Sequence, residues 1–161
     1  MLKTLMVLSS VLIGVPAAGS CQDISGLSGL DAIAARQASL DMSSITFRSM
    51  GDAMKAGREA KSQGYPAAAL AKWARILPRM FPLGTAKGET SANTQALPAI
   101  WRERADFDRA AANYAAATAR LAALAGANDT AGFTRQLEEV NQACGFCHAR
   151  YKEGDQGPPK N

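Results

Sequence analysis

The sequence predicts an all-α fold, an antiparallel four-helix bundle, on three observations. Alanine occupies 33 of the 161 positions. Beyond residue 20 the chain has one valine, Val140, and only five isoleucines. Apolar residues recur at alternating spacings of three and four along four stretches, which glycine and proline separate. Alanine and leucine enter a helix at the lowest cost, whereas valine and isoleucine are the residues that suit a pleated surface. A β-sandwich, a barrel and a parallel α/β sheet therefore lack their raw material. With 47% hydrophobic and only 6% aromatic residues, the chain suits one domain with a modest core.

The first helix is predicted from about Gly29 to Met54, where Leu30, Ile33, Gln37, Leu40, Ser44, Phe47, Gly51 and Met54 fall on one stripe. Ser28 and Asp31 supply its start signal. A charged link from Gly57 to Gly64 leads to Tyr65-Pro66, where proline suits a first helical turn. The second helix carries Leu70, Trp73 and Leu77; Pro78 and Pro82 close or kink it, because proline lacks the amide proton and clashes with the preceding turn. Leu83 to Leu97 is rich in Gly, Thr, Ser and Asn and reads as a long loop, a length that in compact domains is usually functional or mobile. Pro98 restarts helix. Ile100, Phe107, Ala111, Tyr114, Thr118, Leu121 and Ala125 form the third stripe, which Gly126-Ala127-Asn128 ends. Asp129 or Thr130 caps the fourth helix, whose stripe is Phe133, Leu137, Val140, Cys144, Cys147 and Tyr151. Four such helices with mostly short links make a bundle over residues 21–152. Its apolar filling is thin unless something else occupies the core.

The two ends follow other rules. Residues 1–20 carry one charge, Lys3, an apolar run from Leu5 to Val15 and small residues from Ala17 to Ser20, the pattern of a cleaved secretory leader. The run is too short to span a bilayer comfortably, so export to the periplasm is expected. Ala18-Gly19-Ser20-Cys21 also resembles a lipobox, in which Cys21 would take a lipid anchor; an ordinary peptidase cutting after Ser20 leaves the same N-terminus. Residues 153–161 are polar with Gly-Pro-Pro and are expected to be a disordered tail. The net charge of +4 is scattered or interleaved with acids, as in Arg102-Glu103-Arg104-Ala105-Asp106. Without a basic run and interleaved aromatics, no nucleic-acid partner is expected.

Chemistry concentrates at Cys144-Gly145-Phe146-Cys147-His148. This is C-x-x-C-H, the attachment signature of c-type haem. Cysteines at i and i+3 lie on one helical face, so both sulfurs can form thioethers with one porphyrin edge, and the neutral imidazole of His148 can reach the iron. A structural disulfide would have poor geometry on a regular helix. A zinc site would have only Cys144, Cys147, His148 and the distant Cys21 to draw on. A thioredoxin-like pair belongs at the start of a helix after a strand, not in a helix's last turns. His148 is the only histidine, so bis-histidine ligation within one chain is excluded. A sixth protein ligand would have to come from upstream: Met42, Met50, Met54, Met80 or a lysine. Met54 lies on the first stripe and Met42 opposite it; methionines at helical spacing are more often core filler than ligands.

These residues resemble the cytochromes c′ from about Asp31 to Lys152. The resemblance is carried by Ile33-Ala34-Ala35-Arg36-Gln37, Phe81-Pro82-Leu83-Gly84-Thr85, Thr94-Gln95-Ala96-Leu97-Pro98-Ala99-Ile100-Trp101, and the C-x-x-C-H segment with Tyr151. It implies one haem c per chain near an end of the bundle, linked through Cys144 and Cys147, with His148 on a five-coordinate, high-spin iron. It implies further that Leu40 covers the distal face, that Arg36, Gln37, Thr94 and Gln95 contact the haem edge and propionates, and that Lys152 places positive charge near the proximal face. Gln37 on an apolar stripe also calls for a buried polar partner, and Arg150 is a basic residue the family pattern does not include. Family members commonly dimerise through the first two helices, so a homodimer is one expected state.

The expected function is an exported haem protein that binds nitric oxide or carbon monoxide at a guarded iron and can pass electrons to a redox partner protein. A dedicated electron carrier with a six-coordinate haem is the second reading. A non-haem helical interaction module with a structural cysteine pair is the third. No paired carboxylates, nucleophile-base set or phosphate loop points to an enzyme. Removing Lys3 leaves +3, and two ionised haem propionates would bring this to about +1.

Overall fold

The computed structural model describes residues 28–154, and among these it contains helices and no strand. Helix α1 spans Gly29–Lys55, α2 Gly64–Ile76, α3 Ala99–Arg102, α4 Arg104–Gly126 and α5 Thr130–Tyr151. The leader, Cys21 and residues 155–161 lie outside the described part.

Local chemistry sets most helix ends. The Ser28 hydroxyl accepts from the Asp31 amide at 3.2 Å and caps α1. Of the two candidate caps for the last helix the structure uses Asp129, whose carboxylate accepts from the Gly132 amide at 2.8 Å. Gly132 has no alternative there: a Cβ would lie 2.2 Å from Asp129 Oδ2 and 2.9 Å from Leu124 Cδ2. The link after α1 turns at Gly57, with φ +72°, and contains a 3₁₀ turn, Ala60–Gln63. Its first amides are held from the α4–α5 connection, Ala60 N to Thr130 Oγ1 at 3.1 Å and Lys61 N to Asn128 Oδ1 at 2.9 Å. Helix α2 tightens after Ile76 into a 3₁₀ turn, Leu77–Met80, as Pro78 requires.

Two expectations are corrected. The helix restarting at Pro98 does not run unbroken to Ala125: Glu103, at φ −117° and ψ 41°, separates α3 from α4. Tertiary bonds override propensity at this point, because Trp101 Nε1 donates to the Phe81 and Pro82 carbonyls while Arg104 donates to the Pro78 carbonyl at 2.9 Å. The tail does not begin at Glu153, whose amide donates to the Gln95 carbonyl at 2.9 Å and whose carboxylate pairs with Lys87. The α1 stripe is packed in part, with Ile33 buried and Leu40, Phe47 and Met54 against the main core. Leu30 is 55% exposed and Gln37 and Ser44 are also exposed.

Helices α2 and α5 pack along α4, and their shared core holds Met50, Leu70, Leu77, Tyr114, Leu121, Phe133, Leu137 and Val140. A second cluster, Ile100, Phe107 and Tyr151, sits between α3 and the end of α5. There Phe81, Phe107 and Tyr151 stack edge to face in sequence, with centroids 5.0 and 5.3 Å apart. Helix α1 buries only Ala32, Ile33, Arg36 and Met50. Much of its inner face borders a cavity instead of side chains.

Candidate functional site

The cavity has a volume of about 890 Å³, within the range of roughly 300–1,000 Å³ usual for cofactor pockets. Helix α1 forms one wall with Arg36, Gln37, Leu40, Ser44 and Phe47. Helix α5 contributes Val140, Cys144, Cys147, His148 and Tyr151 to the lining. Phe81, Phe107 and Tyr114 add aromatic lining, and the long loop adds Thr94, Gln95 and Ala96. All nine residues expected at a cofactor, namely Arg36, Gln37, Leu40, Thr94, Gln95, Cys144, Cys147, His148 and Lys152, line this one space.

The long loop is held at both ends of the site. Its exit is tied to the end of α5 by Leu97 N to Tyr151 O at 2.9 Å and by an isolated antiparallel bridge between Ala96 and Lys152. Its start is tied to α1 through Arg36. The Arg36 guanidinium is 2% exposed and donates to Thr85 Oγ1 at 2.8 Å, to the Thr85 carbonyl at 2.7 Å and to Thr94 Oγ1 at 2.7 Å. It also lies 4.9 Å from the Phe81 ring centroid. Among the described residues no carboxylate pairs with it, and burial pulls its pKa below the ordinary arginine value. A guanidinium has five N–H donors; three hydrogen bonds engage it here, and the donors left over meet no acceptor among the described residues. With both bonds from Nη2 taken, Nε and one Nη1 hydrogen remain, each able to give a single charge-assisted hydrogen bond to a carboxylate.

Gln37 differs from its expectation. It is exposed, and its partner is a loop carbonyl, Asn93 O at 2.8 Å, not a buried side chain. Arg150, the extra basic residue, does not line the cavity. It pairs with Glu103 at 2.6 Å and Asp106 at 3.2 Å, so it fastens the end of α5 to the α3–α4 break.

Cys144 and Cys147 are half-buried free thiols. Burial pushes both up to about 11, with the second thiol's neighbour, Cys144, adding to the rise at Cys147. They are therefore neutral at ordinary pH. Among the described residues no three or more His, Cys, Asp or Glu side chains are grouped so as to hold a metal ion. The methionines are elsewhere: Met42 is 68% exposed, Met50 and Met80 are buried, Met54 packs on the main core, and none lines the cavity. The Tyr151 hydroxyl is buried on the cavity wall without a hydrogen-bond partner among the described residues.

A haem fits these donors. Two thiols one turn apart and an imidazole next to them on α5 line the cavity, much of the remaining lining is apolar and aromatic, and a buried cation with open donors suits a carboxylate-bearing edge. In the sequence Thr85 stands only within the resemblance segment Phe81 to Thr85 and has no role of its own; it does not line the cavity, and its link to Arg36 spans 49 residues.

Comparisons with known proteins agree. The family model described as cytochrome c′ matches residues 31–152. Cytochrome c-554 of Cereibacter sphaeroides is 35% identical over 98 residues, 60% of this chain and 63% of that protein. Cytochrome c′ of Rubrivivax gelatinosus is 38% identical over 73 residues, 45% of this chain and 54% of that protein. The alignments thus span less than two thirds of either relative. The solved structure of cytochrome c′ from Rubrivivax gelatinosus superposes with a TM-score of 0.70 at 28% identity, over 78% of this chain and 97% of that one. A nitric oxide complex of a mutant cytochrome c prime from Alcaligenes xylosoxidans, 22% identical with a TM-score of 0.69 over 78% and 96% of the two chains, shares the fold.

Proposed function

This chain belongs to the cytochrome c′ family, whose members bind haem c covalently; on this basis we propose that it is a periplasmic gas-binding cytochrome with a five-coordinate, high-spin haem that can also exchange electrons. The observation that carries the reading is the composition of the two cavity walls. The α5 wall offers one imidazole, His148, and the α1 wall offers Leu40, which cannot ligate iron, while all four upstream methionines lie off the cavity. That arrangement disfavours a six-coordinate electron carrier with a methionine ligand.

When bound, the haem supplies an iron that takes up small diatomics and changes oxidation state. The residues of the chain do the rest. Cys144 and Cys147 would anchor the ring through thioethers, and His148 would ligate the iron. Arg36 neutralises a propionate, with Gln37, Thr94 and Gln95 along the same edge, and Lys152 adds positive charge beside His148. Leu40 would shield the iron from water and large anions and leave entry to a small uncharged diatomic able to displace it. The nitric oxide complex of the Alcaligenes xylosoxidans protein supports the choice of gas. The leader pattern of residues 1–20 supports export.

Gas titration of the haem-loaded, reduced protein tests this reading. Saturable spectral change with both nitric oxide and carbon monoxide is expected; an unchanged spectrum at saturating gas would overturn it. Cys144→Ala with Cys147→Ala should abolish covalently retained haem.

A further inference from the structure

We propose that Thr85 is a positioning residue, fixing the Arg36 guanidinium so that its open N–H donors face the carboxylate of the bound cofactor. This rests on the reading of Arg36 given above. Two of the three hydrogen bonds that hold Arg36 end on this one residue, at its hydroxyl and at its own carbonyl, 2.8 and 2.7 Å away. The hydroxyl proton is committed to the Pro82 carbonyl at 2.8 Å, so Oγ1 is left to accept and cannot swing round to compete as a donor. Thr85 is itself 0% exposed.

The anchor is firm because its surroundings are. Gly84, at φ +75°, makes the turn that brings residue 85 back toward α1. Trp101 Nε1 bonds the Phe81 and Pro82 carbonyls at 3.2 and 3.1 Å, which ties this segment to α3. The Phe81 ring holds the guanidinium from another side, 4.9 Å from its centroid, and Thr94 Oγ1 takes the third hydrogen bond. A long, flexible side chain with about 2 kcal/mol of rotamer entropy is thereby held in one orientation before any cofactor carboxylate meets it. Preorganisation of this kind strengthens the later contact without adding an atom to it.

The test is the midpoint potential of the haem-loaded full chain, read by spectroelectrochemical titration. Arg36→Gln removes a cation beside the carboxylate, favours the ferric form and lowers the potential. Thr85→Val keeps the shape and the carbonyl but loses the hydroxyl; it should lower the potential in the same direction, by up to a tenfold change in the ferric-to-ferrous balance, about 59 mV. Thr85→Ser should restore the wild-type value. The double variant Thr85→Val with Arg36→Gln should fall no further than Arg36→Gln alone, as coupled residues do. Thr85→Ala carries the same expectation and keeps the test open if valine prevents folding. A wild-type potential in Thr85→Val and Thr85→Ala, or strictly additive shifts in the double variant, overturns the role of Thr85 while leaving that of Arg36 intact. An Arg36→Gln potential equal to wild type overturns both.

Discussion

Replacing Arg36 by methionine removes a buried cation but keeps an unbranched side chain of similar reach, and the structure sets the size of the effect. Three hydrogen bonds at 2.7–2.8 Å disappear. Two acceptors retain other bonds, since Thr85 Oγ1 still donates to Pro82 O and Thr94 Oγ1 still accepts from the Ala96 amide at 3.3 Å. The Thr85 carbonyl loses its donor. A hydrogen bond to a charged group contributes about 1.5–3 kcal/mol, but desolvation of the guanidinium offsets part of this, which is why burial pulls its pKa down. On the proposed pairing with a cofactor carboxylate the largest loss comes from leaving that carboxylate without its partner, since breaking a buried ion pair costs about 3–5 kcal/mol. Urea unfolding of the haem-loaded protein, followed by far-UV circular dichroism and by Soret absorption, should register that loss. With a slope of about 1–3 kcal/mol per molar urea, the midpoint should fall by roughly 2 M. Arg36→Lys should recover only part, because an ammonium cannot reproduce the planar fork. A loss below about 1 kcal/mol, the size of an exposed ion pair, would refute the pairing of Arg36 with a buried carboxylate.

Other expectations follow from the same cavity. Leu40 is half-buried over one wall, so Leu40→Ala removes roughly 1 kcal/mol of contact and should speed carbon monoxide association about fivefold in flash photolysis; an unchanged rate would place the gate elsewhere. Met50→Leu, Met54→Leu and Met80→Leu, none of which lies on the cavity, should each leave the haem spectrum unaltered, and a change in ligand field in any of them would expose a methionine ligand. In the chain before haem attachment, burial raises both thiols to about 11. At pH 8 only about one thiol in a thousand is then the reactive thiolate, and alkylation followed by mass spectrometry should be slow until pH approaches 11. Because the folded pKa lies above the ordinary value of 9.0, the neutral thiols support the fold below pH 9 and that support is lost as pH rises through about 11. Labelling at pH 8 as fast as in urea would contradict this.

The helices and the attachment wall were legible because both depend on short-range spacing. The stripe Phe107, Ala111, Tyr114, Thr118, Leu121 and Ala125 is buried throughout α4, and Cys144, Cys147 and His148 share one wall as i, i+3 and i+4 positions must. What spacing cannot convey is which face meets a neighbour and which meets a cavity. Gln37 and Ser44 obey the period of α1, yet they stand at an open space and stay exposed. The break at Glu103 was hidden for a related reason. Nothing in Trp101-Arg102-Glu103-Arg104 discourages a helix locally; the bonds from Trp101 and Arg104 to the turn after α2 impose the break from a distance. The segment ending at Thr85 was among those that carried the family resemblance, but the bond from Arg36 to Thr85, 49 residues away, is one that no local pattern encodes.

The most direct test of a guarded, five-coordinate haem held between Leu40 and His148 is the absorption spectrum of the reduced protein before and after nitric oxide is added. A high-spin spectrum that shifts on addition of the gas is predicted. A low-spin spectrum already present without gas, together with a methionine-to-iron band in the oxidised form, would contradict it.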